Sequence, residues 1–257
     1  MKNEMLEKFV KAKHQEIELL KKQALEGILT KPLQGQRPKL VKALKKTGPT
    51  IIAEYKRASP SRGIINSSVS AREAAKMFVR GGAAAVSVLT EKKYFQGDTD
   101  YLEIFARHDL PVLRKDFLFH PLQVKQTAAT RASALLLIVR IIPEQGLLRE
   151  LVEMSLGYGL EPVVEVFNHQ ELDLARKSGA GVILVNNRDL DRLVVDMDVS
   201  RELIKEKDSR ETWICASGIE NKYQVYEFYY LGFESFLIGT SIMSSDNPEM
   251  KLRELTI

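Results

Sequence analysis

Charged and amide side chains stand at the ends of four apolar runs. Glu54 and Lys56 close TIIAEYK, Lys115 closes LPVLRK, Glu165 lies in EPVVEV, and Asn186 and Arg188 end and follow GVILVN. Residues two apart on a strand share a face, so Ile52, Glu54 and Lys56 form one set. Leu113 with Lys115, Val163 with Glu165, and Leu184 with Asn186 form three more. A charge inside a strand covered on both faces costs on the order of several kcal/mol unless it is paired or put to use. Lysines and carboxylates converging on one face are the parts of general acid–base chemistry; purely structural ion pairs are the competing reading. Further on, Ser217–Gly218 and Gly239–Thr240 each set a hydroxyl beside a glycine. Small residues there let backbone N–H groups and a helix start approach an anion, which is the chemistry of phosphate binding. On this reading a side chain at Gly239 would occupy the anion's space.

The elements that must carry these residues alternate. Strand patterns fall at 50–56, 84–90, 110–115, 134–139, 160–166, 181–186, 211–217 and 234–239, with helix patterns at 70–80, 121–130, 143–158, 168–178, 199–207 and 221–230. Strand–helix alternation predicts a parallel sheet with right-handed crossovers. Eight units within about 200 residues suit a closed (β/α)8 TIM barrel, whose catalytic groups sit at the C-terminal strand ends and whose last two loops hold phosphate. The first strand is followed by KRASPSRG and not by a glycine-rich dinucleotide fingerprint, which disfavours an open nucleotide-binding sheet. Residues 1–48 read as an N-terminal helical extension and 49–257 as the catalytic barrel. The extension opens with an amphipathic helix pattern over 1–29, bearing Met5, Leu6, Phe9, Ile17, Leu20 and Leu25.

The chain has 257 residues, enough for a sizeable core without disulfides, and its one cysteine could form no internal bridge. That points to a reducing, cytoplasmic setting. The excess of 38 basic over 34 acidic residues is small and dispersed, favouring a small phosphorylated substrate over nucleic acid. The start lacks the layout of a secretory signal, and no run is apolar enough to span a membrane. His14, His108, His120 and His169 show no ligand spacing, so no metal is expected. Cys215, of opposite parity to Ala216, should face the surrounding helices. The serine and glycine of SPSRG suggest a mobile first loop.

Taken together, IIAEYKRASPSRG (51–63), SVLTEKKYFQGD (87–98), PVLRKDF (111–117), LLLIVRII (135–142), EPVVEVFN (161–168), ILVNNRDL (183–190), ASGI (216–219) and FLIGTSIM (236–243) resemble the indole-3-glycerol phosphate synthase family in content, order and spacing. The resemblance implies a (β/α)8 barrel with an N-terminal extension across its mouth. It implies cyclisation of an anthranilate-substituted ribulose phosphate with loss of carbon dioxide and water, without a cofactor.

By match to the family's motifs, Lys115 looks like the general acid and Glu165 the general base, with Glu54 and Lys56 joining the acid, base and carboxylate-binding work. Asn186 and Arg188 resemble its substrate-orienting pair, Phe95, Phe117, Leu136 and Ile138 its ring slot, and Ser59, Ser217, Gly218, Gly239 and Thr240 its phosphate contacts. A cationic cluster of Lys115, Lys56 and Arg188 would make Lys115 a stronger acid. Ala216 departs from the glutamate usual before this Ser-Gly, which leaves open a catalytically weakened barrel that binds a phosphorylated ligand. Another phosphate-binding barrel, such as phosphoribosylanthranilate isomerase, is the second alternative; protein partners are not legible.

Overall fold

Short runs of Val, Ile and Leu, each flanked by a helix start, become parallel strands because both of their faces are covered. The computed structural model describes residues 4–256. In chain order the first elements are α1 (Glu4–Leu25), α2 (Leu40–Leu44), β1 (Thr50–Tyr55), β2 (Ala58–Ser59), β3 (Gly63–Ile64), α3 (Ala71–Arg80), β4 (Ala85–Leu89), α4 (Lys92–Phe95), α5 (Asp100–Ala106), β5 (Val112–Lys115) and α6 (Pro121–Ala128). There follow β6 (Ala134–Ile138), α7 (Gln145–Gly157), β7 (Glu161–Val166), α8 (His169–Lys177), β8 (Val182–Asn186), α9 (Asp198–Leu203), β9 (Thr212–Ala216), α10 (Lys222–Leu231), β10 (Ser235–Ile238), α11 (Thr240–Met243) and α12 (Pro248–Thr256). The strands close in the order β1-β10-β9-β8-β7-β6-β5-β4, with β4 pairing back onto β1, so the fold is a (β/α)8 barrel. Side chains cap several helix starts at the mouth: Ser70 with Glu73, His120 with Gln123, Asn168 and Asn221.

Alternate residues of each strand divide the core in two. Ile52, Leu113, Leu136, Val163, Leu184, Ile214 and Leu237 fill the barrel interior, while Ile51, Val86, Leu135, Val164, Val185 and Phe236 pack under the helices. The extension closes both ends. Leu40 and Leu44 of α2 join the interior cluster, and the Glu161 carboxylate at the start of β7 accepts from the N–H groups of Leu40 and Val41. Helix α1 lies over the opposite end, where Phe9 packs on Phe117 and Lys13 pairs with Asp116.

Three features depart from the expectations above. Of the helix pattern over 1–29, residues 1–3 lie outside the described residues, and α1 ends at Leu25, which is 90% exposed. The buried face runs through Leu6, Phe9, Lys13, Ile17 and Leu20; Leu25, five residues beyond Leu20, is turned about 140° away at 3.6 residues per turn. Helices α2, α4, α5 and α12 were not anticipated, being short segments whose burial of Leu40, Phe105 or Leu252 depends on neighbouring elements. The loop after β1 is tied by a small antiparallel ladder, Ala58 to Ile64 and Ser59 to Gly63, with both Ile65 and Asn66 N–H groups donating to the Arg57 carbonyl. No helix among the described residues is long and apolar enough to cross a membrane.

Cys215 faces the helices, fully buried, with Ser200 and Asn187 against its sulfur. Burial pushes its thiol up to about 11, so at neutral pH almost no thiolate forms. Native protein should resist a maleimide or disulfide reagent at pH 7.5 and label fully once unfolded; fast stoichiometric labelling of the native state would contradict this placement.

Candidate active site

The inner parity of each strand delivers its polar end residue to the barrel mouth. Every residue that the sequence analysis gave to catalysis, to substrate or to phosphate, from Glu54 to Thr240, lines one cavity of about 360 Å³ there. Across β5, β7 and β8 runs a chain of polar contacts. The Lys115 ammonium donates to Glu165 Oε2 at 3.3 Å, Asn186 Nδ2 donates to Glu165 Oε1 at 2.8 Å, and the Arg188 N–H donates to Asn186 Oδ1 at 3.1 Å. Both oxygens of Glu165 are thereby held by donors from different strands. On β1 a second pair forms, Lys56 Nζ at 3.1 Å from Glu54 Oε1, and Ser87 of β4 donates to Glu54 Oε2 at 3.3 Å.

The carboxylates of these two pairs are more deeply buried than the lysines. Glu54 and Glu165 are each 3% exposed, whereas Lys115 and Lys56 side chains keep 19% and 16%. Lysine stems lie along the apolar lip with their ammonium groups toward the cavity. Such placement suits proton transfer to something entering from above. It also corrects one expectation: Lys115 is not surrounded by cations. Burial opposes its charge, but the Glu165 and Glu54 carboxylates and the hydrogen bond to Glu165 outweigh burial, so its pKa lies above the ordinary lysine value. The neighbouring carboxylates thus favour the charged form of the lysine. Arg188 has its pKa lowered by burial first and then by the nearby Arg62, and its Nη1 donates to the Leu193 carbonyl at 2.6 Å.

One wall is apolar. Leu136 and Ile138 of β6 lie between the β5 and β7 polar ends, and Phe117 and Phe95 stand above them with ring centroids 6.1 Å apart. Phe95 is held by its own local geometry. The buried Glu91 carboxylate accepts from the N–H groups of Lys93, Tyr94 and Phe95, and Gly97 turns the chain so tightly that a Cβ there would collide with the Leu89 carbonyl.

Opposite lie the two small-residue loops. Ser217 and Gly218 both have left-handed backbones, φ +67° and +86°, and a Cβ on Gly218 would strike Met197 and Val195. Asn187, wholly buried on the outer side of β8, donates to the Ser217 carbonyl at 3.0 Å and accepts from the Ser200 N–H, which fixes that turn. Thr240 begins α11 directly after Gly239, so its first N–H groups have no partner within the helix. Ser59 faces the same rim from the tied first loop. Gly239 needs a different explanation from the one its sequence suggested. A Cβ there would come 2.5 Å from Glu54 Oε1 and 2.9 Å from Glu54 Cβ, so the glycine makes room for the Glu54 carboxylate before any anion.

Three contributors were not found in the sequence. Phe9 of α1 lines the cavity and stacks on Phe117 at 4.5 Å. Nothing in a lone aromatic on an amphipathic helix says which barrel end it meets. Ser87 was findable, because 85, 87 and 89 form the inward set of β4. Asn187 was not, since its work depends on a turn thirty residues away. Among the described residues no group of His, Cys, Asp or Glu is arranged to hold a metal ion.

A family model described as indole-3-glycerol phosphate synthase matches residues 6–255. Among similar proteins, the indole-3-glycerol phosphate synthase of Aquifex aeolicus (strain VF5) is 43% identical over 217 residues, spanning 83% of this chain and 84% of the relative. That of Petrotoga mobilis (strain DSM 10674 / SJ95) is 33% identical over 256 residues, 97% of this chain and 96% of the relative. Among solved structures, 3-hexulose-6-phosphate synthase from Salmonella typhimurium superposes with a TM-score of 0.63 at 13% identity, covering 80% of this chain and 96% of that one. At that identity the likeness is one of fold.

Proposed function

The chain belongs to the indole-3-glycerol phosphate synthase family, and from that premise we propose how its residues divide the work. The reaction is a decarboxylating ring closure of tryptophan biosynthesis: 1-(2-carboxyphenylamino)-1-deoxyribulose 5-phosphate becomes indole-3-glycerol phosphate, releasing carbon dioxide and water. A bond forms between the ring carbon bearing the carboxylate and the ketone carbon. The ketone oxygen must gain a proton as this happens, and the resulting hydroxyl later leaves as water.

Lys115 is the group we assign to the first proton. Its ammonium is charged, reaches into the cavity, and stands beside the apolar wall where an aromatic ring would lie between Phe95, Phe117, Leu136 and Ile138. Glu165, oriented by Lys115 and Asn186, is the base for dehydration. Lys56 and Glu54 form the second acid–base pair and, with Arg188, meet the substrate carboxylate; a guanidinium suits that group bidentately. Phosphate lies at Ser59, Ser217, Gly218, Gly239 and Thr240. The observation that carries this division is the pair of lysine–carboxylate contacts, 3.1 and 3.3 Å, facing one cavity with an aromatic wall on one side and two small-residue turns on the other.

Residues 1–48 serve as an extension that completes the site of the 49–257 barrel; burial of Phe9 and Leu6 with interior barrel residues supports reading them as one catalytic unit. A phosphorylated small molecule is the partner, and the single buried thiol supports a reducing cytoplasmic setting. Appearance of indole fluorescence from synthetic substrate tests the activity; a folded protein that gives none would refute the assignment.

Ala216 offers a second test. It pairs in register with Asn186 and Leu237 and presents its methyl to the cavity, so a longer side chain there points into the space that Lys56 and Lys115 also line. Ala216→Glu is expected to fold and to raise kcat several-fold, through steps after ring closure, since a group acting only in the transition state affects kcat more than KM. Single-turnover kinetics on both proteins would measure it. An unchanged or lower kcat would mean that Glu54 and Glu165 already do all the carboxylate work.

A further inference from the structure

We infer that Arg140, which stands outside the cavity, is a positioning residue: it clamps the loop after β8 onto the ends of β6 and β7, and so sets the place of Arg188 and the affinity for the substrate carboxylate. The inference rests on the assignment of Arg188 to that carboxylate.

Arg140 stands in the helical turn that follows β6, two residues past Ile138, and does not line the cavity. Its side chain is 15% exposed and lies over the Phe167 ring, with the guanidinium carbon 4.6 Å from the ring centroid. From there its planar fork reaches two ways. Nε donates to Glu171 Oε1 at 2.9 Å, while Nη1 stands 3.5 Å from Asp189 Oδ1 and 3.6 Å from Asp191 Oδ2. Glu171, on α8, is itself tied to the end of β7, its carboxylate accepting from the Phe167 N–H at 2.8 Å and from Asn168 Nδ2 at 3.1 Å. One cation thus faces carboxylates from both α8 and the β8 loop. Like charges brought this close repel, so removing the guanidinium does more than delete a contact. It sets the loop against α8.

The loop has a shape of its own. Asp189 Oδ1 accepts from the Asp191 and Arg192 N–H groups at 2.7 and 3.1 Å, the Leu193 N–H donates to the Asp189 carbonyl at 2.8 Å, and Arg188 forms an antiparallel bridge with Val195. Those bonds fold residues 188–195 into a tight turn without fixing where it sits on the barrel. Its returning side is anchored by the Asp196 N–H, which donates to the Asn187 carbonyl at 2.8 Å, and by Val195 and Met197 lying against Gly218 of the phosphate turn. Its leading side, with Asp189 and Asp191, is paired to Arg140. Arg188 depends on this arrangement because its Nη1 donates at 2.6 Å to the carbonyl of Leu193, a residue with a left-handed backbone of φ +58°. A shift of the leading side therefore turns the guanidinium. The phosphate side keeps its own anchors.

The test is steady-state kinetics on the full chain with synthetic substrate, set beside inhibition by the product, indole-3-glycerol phosphate, which has lost the carboxylate. Arg140→Met removes the charge and keeps an apolar side chain over Phe167. Its KM is expected to rise about three- to tenfold, the scale of a partly lost charge-assisted hydrogen bond. Its kcat should stay within about threefold and its product inhibition constant within about twofold, since an interaction lost equally from ground and transition states appears in KM. Arg188→Met should raise KM at least as much and the double variant no further, because Arg140 acts through Arg188. Asp189→Asn keeps the acceptor for both turn N–H groups but loses the charge that faces Arg140, so it should raise KM in the same way, and it carries the test if Arg140→Met does not fold. An unchanged KM in either variant, a product constant that rises in step with KM, or effects of Arg140 and Arg188 that multiply would overturn the clamp. An unchanged KM in Arg188→Met, or wild-type protein that forms no indole product, would instead overturn the reading of the site on which the clamp rests.

Discussion

Lys115→Ala is expected to lower kcat by about a hundredfold or more, the range for a positioned general acid. The side chain ends 3.3 Å from Glu165 and lines the cavity, so its removal enlarges that cavity rather than opening a void in the apolar core. The variant should therefore fold, keep a wild-type circular dichroism spectrum, and bind inorganic phosphate as before. KM should change far less than kcat. Glu165 would lose one of its two side-chain donors and keep Asn186. Near wild-type turnover in a folded variant would remove Lys115 from its assigned role.

The raised pKa of Lys115 adds a pH dependence whose sign can be stated. Its folded value lies above the ordinary lysine value of 10.5. Its contribution to stability is complete below the unfolded pKa and disappears as pH rises through the folded one. In the free enzyme the acid is protonated throughout the neutral and mildly alkaline range, so any alkaline limb of kcat/KM due to Lys115 should fall above 10.5. A limb between pH 7 and 9 that vanished in Lys115→Arg would contradict this. Asp116 works in the opposite sense. Burial raises it, but Lys13 and Arg114 outweigh burial and lower its pKa; its contribution is present above the unfolded carboxyl pKa and is lost as pH falls through the folded one.

Gly239→Val should have a comparably large effect, by two routes at once. The new Cβ would sit 2.5 Å from Glu54 Oε1 and 3.1 Å from Cδ, so the carboxylate must swing away from Lys56 and Ser87. Displacing a reacting group by about 1 Å can cost about a hundredfold in rate. The rest of the valine would stand at the start of α11, where backbone N–H groups are assigned to phosphate. Both kcat and affinity for inorganic phosphate should fall, the latter measured by calorimetry. A variant that lost only phosphate affinity would mean that Glu54 plays no part in the chemistry. One that lost only kcat would move the phosphate cradle elsewhere.

These two residues also mark how far the chain could be read without its fold. Lys115 and Glu165 stood out because a charge within a run covered on both faces is anomalous in one dimension, and period-two alternation assigns it to a face whatever strand lies beside it. The eight strand positions were legible for the same reason: each is a local apolar run bounded by turns or helix caps. Turn residues such as Gly218 and Gly239 were visible as small, but not as to what they make room for. Gly239 yields space to Glu54, 185 residues earlier, a fact that exists only once β10 lies against β1.

The sequence by itself determined the alternation of strand and helix, the inward parity that collects Glu54, Lys115, Glu165 and Asn186 at one barrel end, and the family. Those properties depend on local pattern and residue identity. Tertiary structure alone decided the pairings: that Lys115 faces Glu165 and not a cluster of cations, that α1 closes the mouth while α2 closes the base, and that Lys13 is buried against Asp116. The electrostatic energy of a charge is set by what stands within a few ångströms of it. In a closed barrel those neighbours come from strands and helices far apart in the chain.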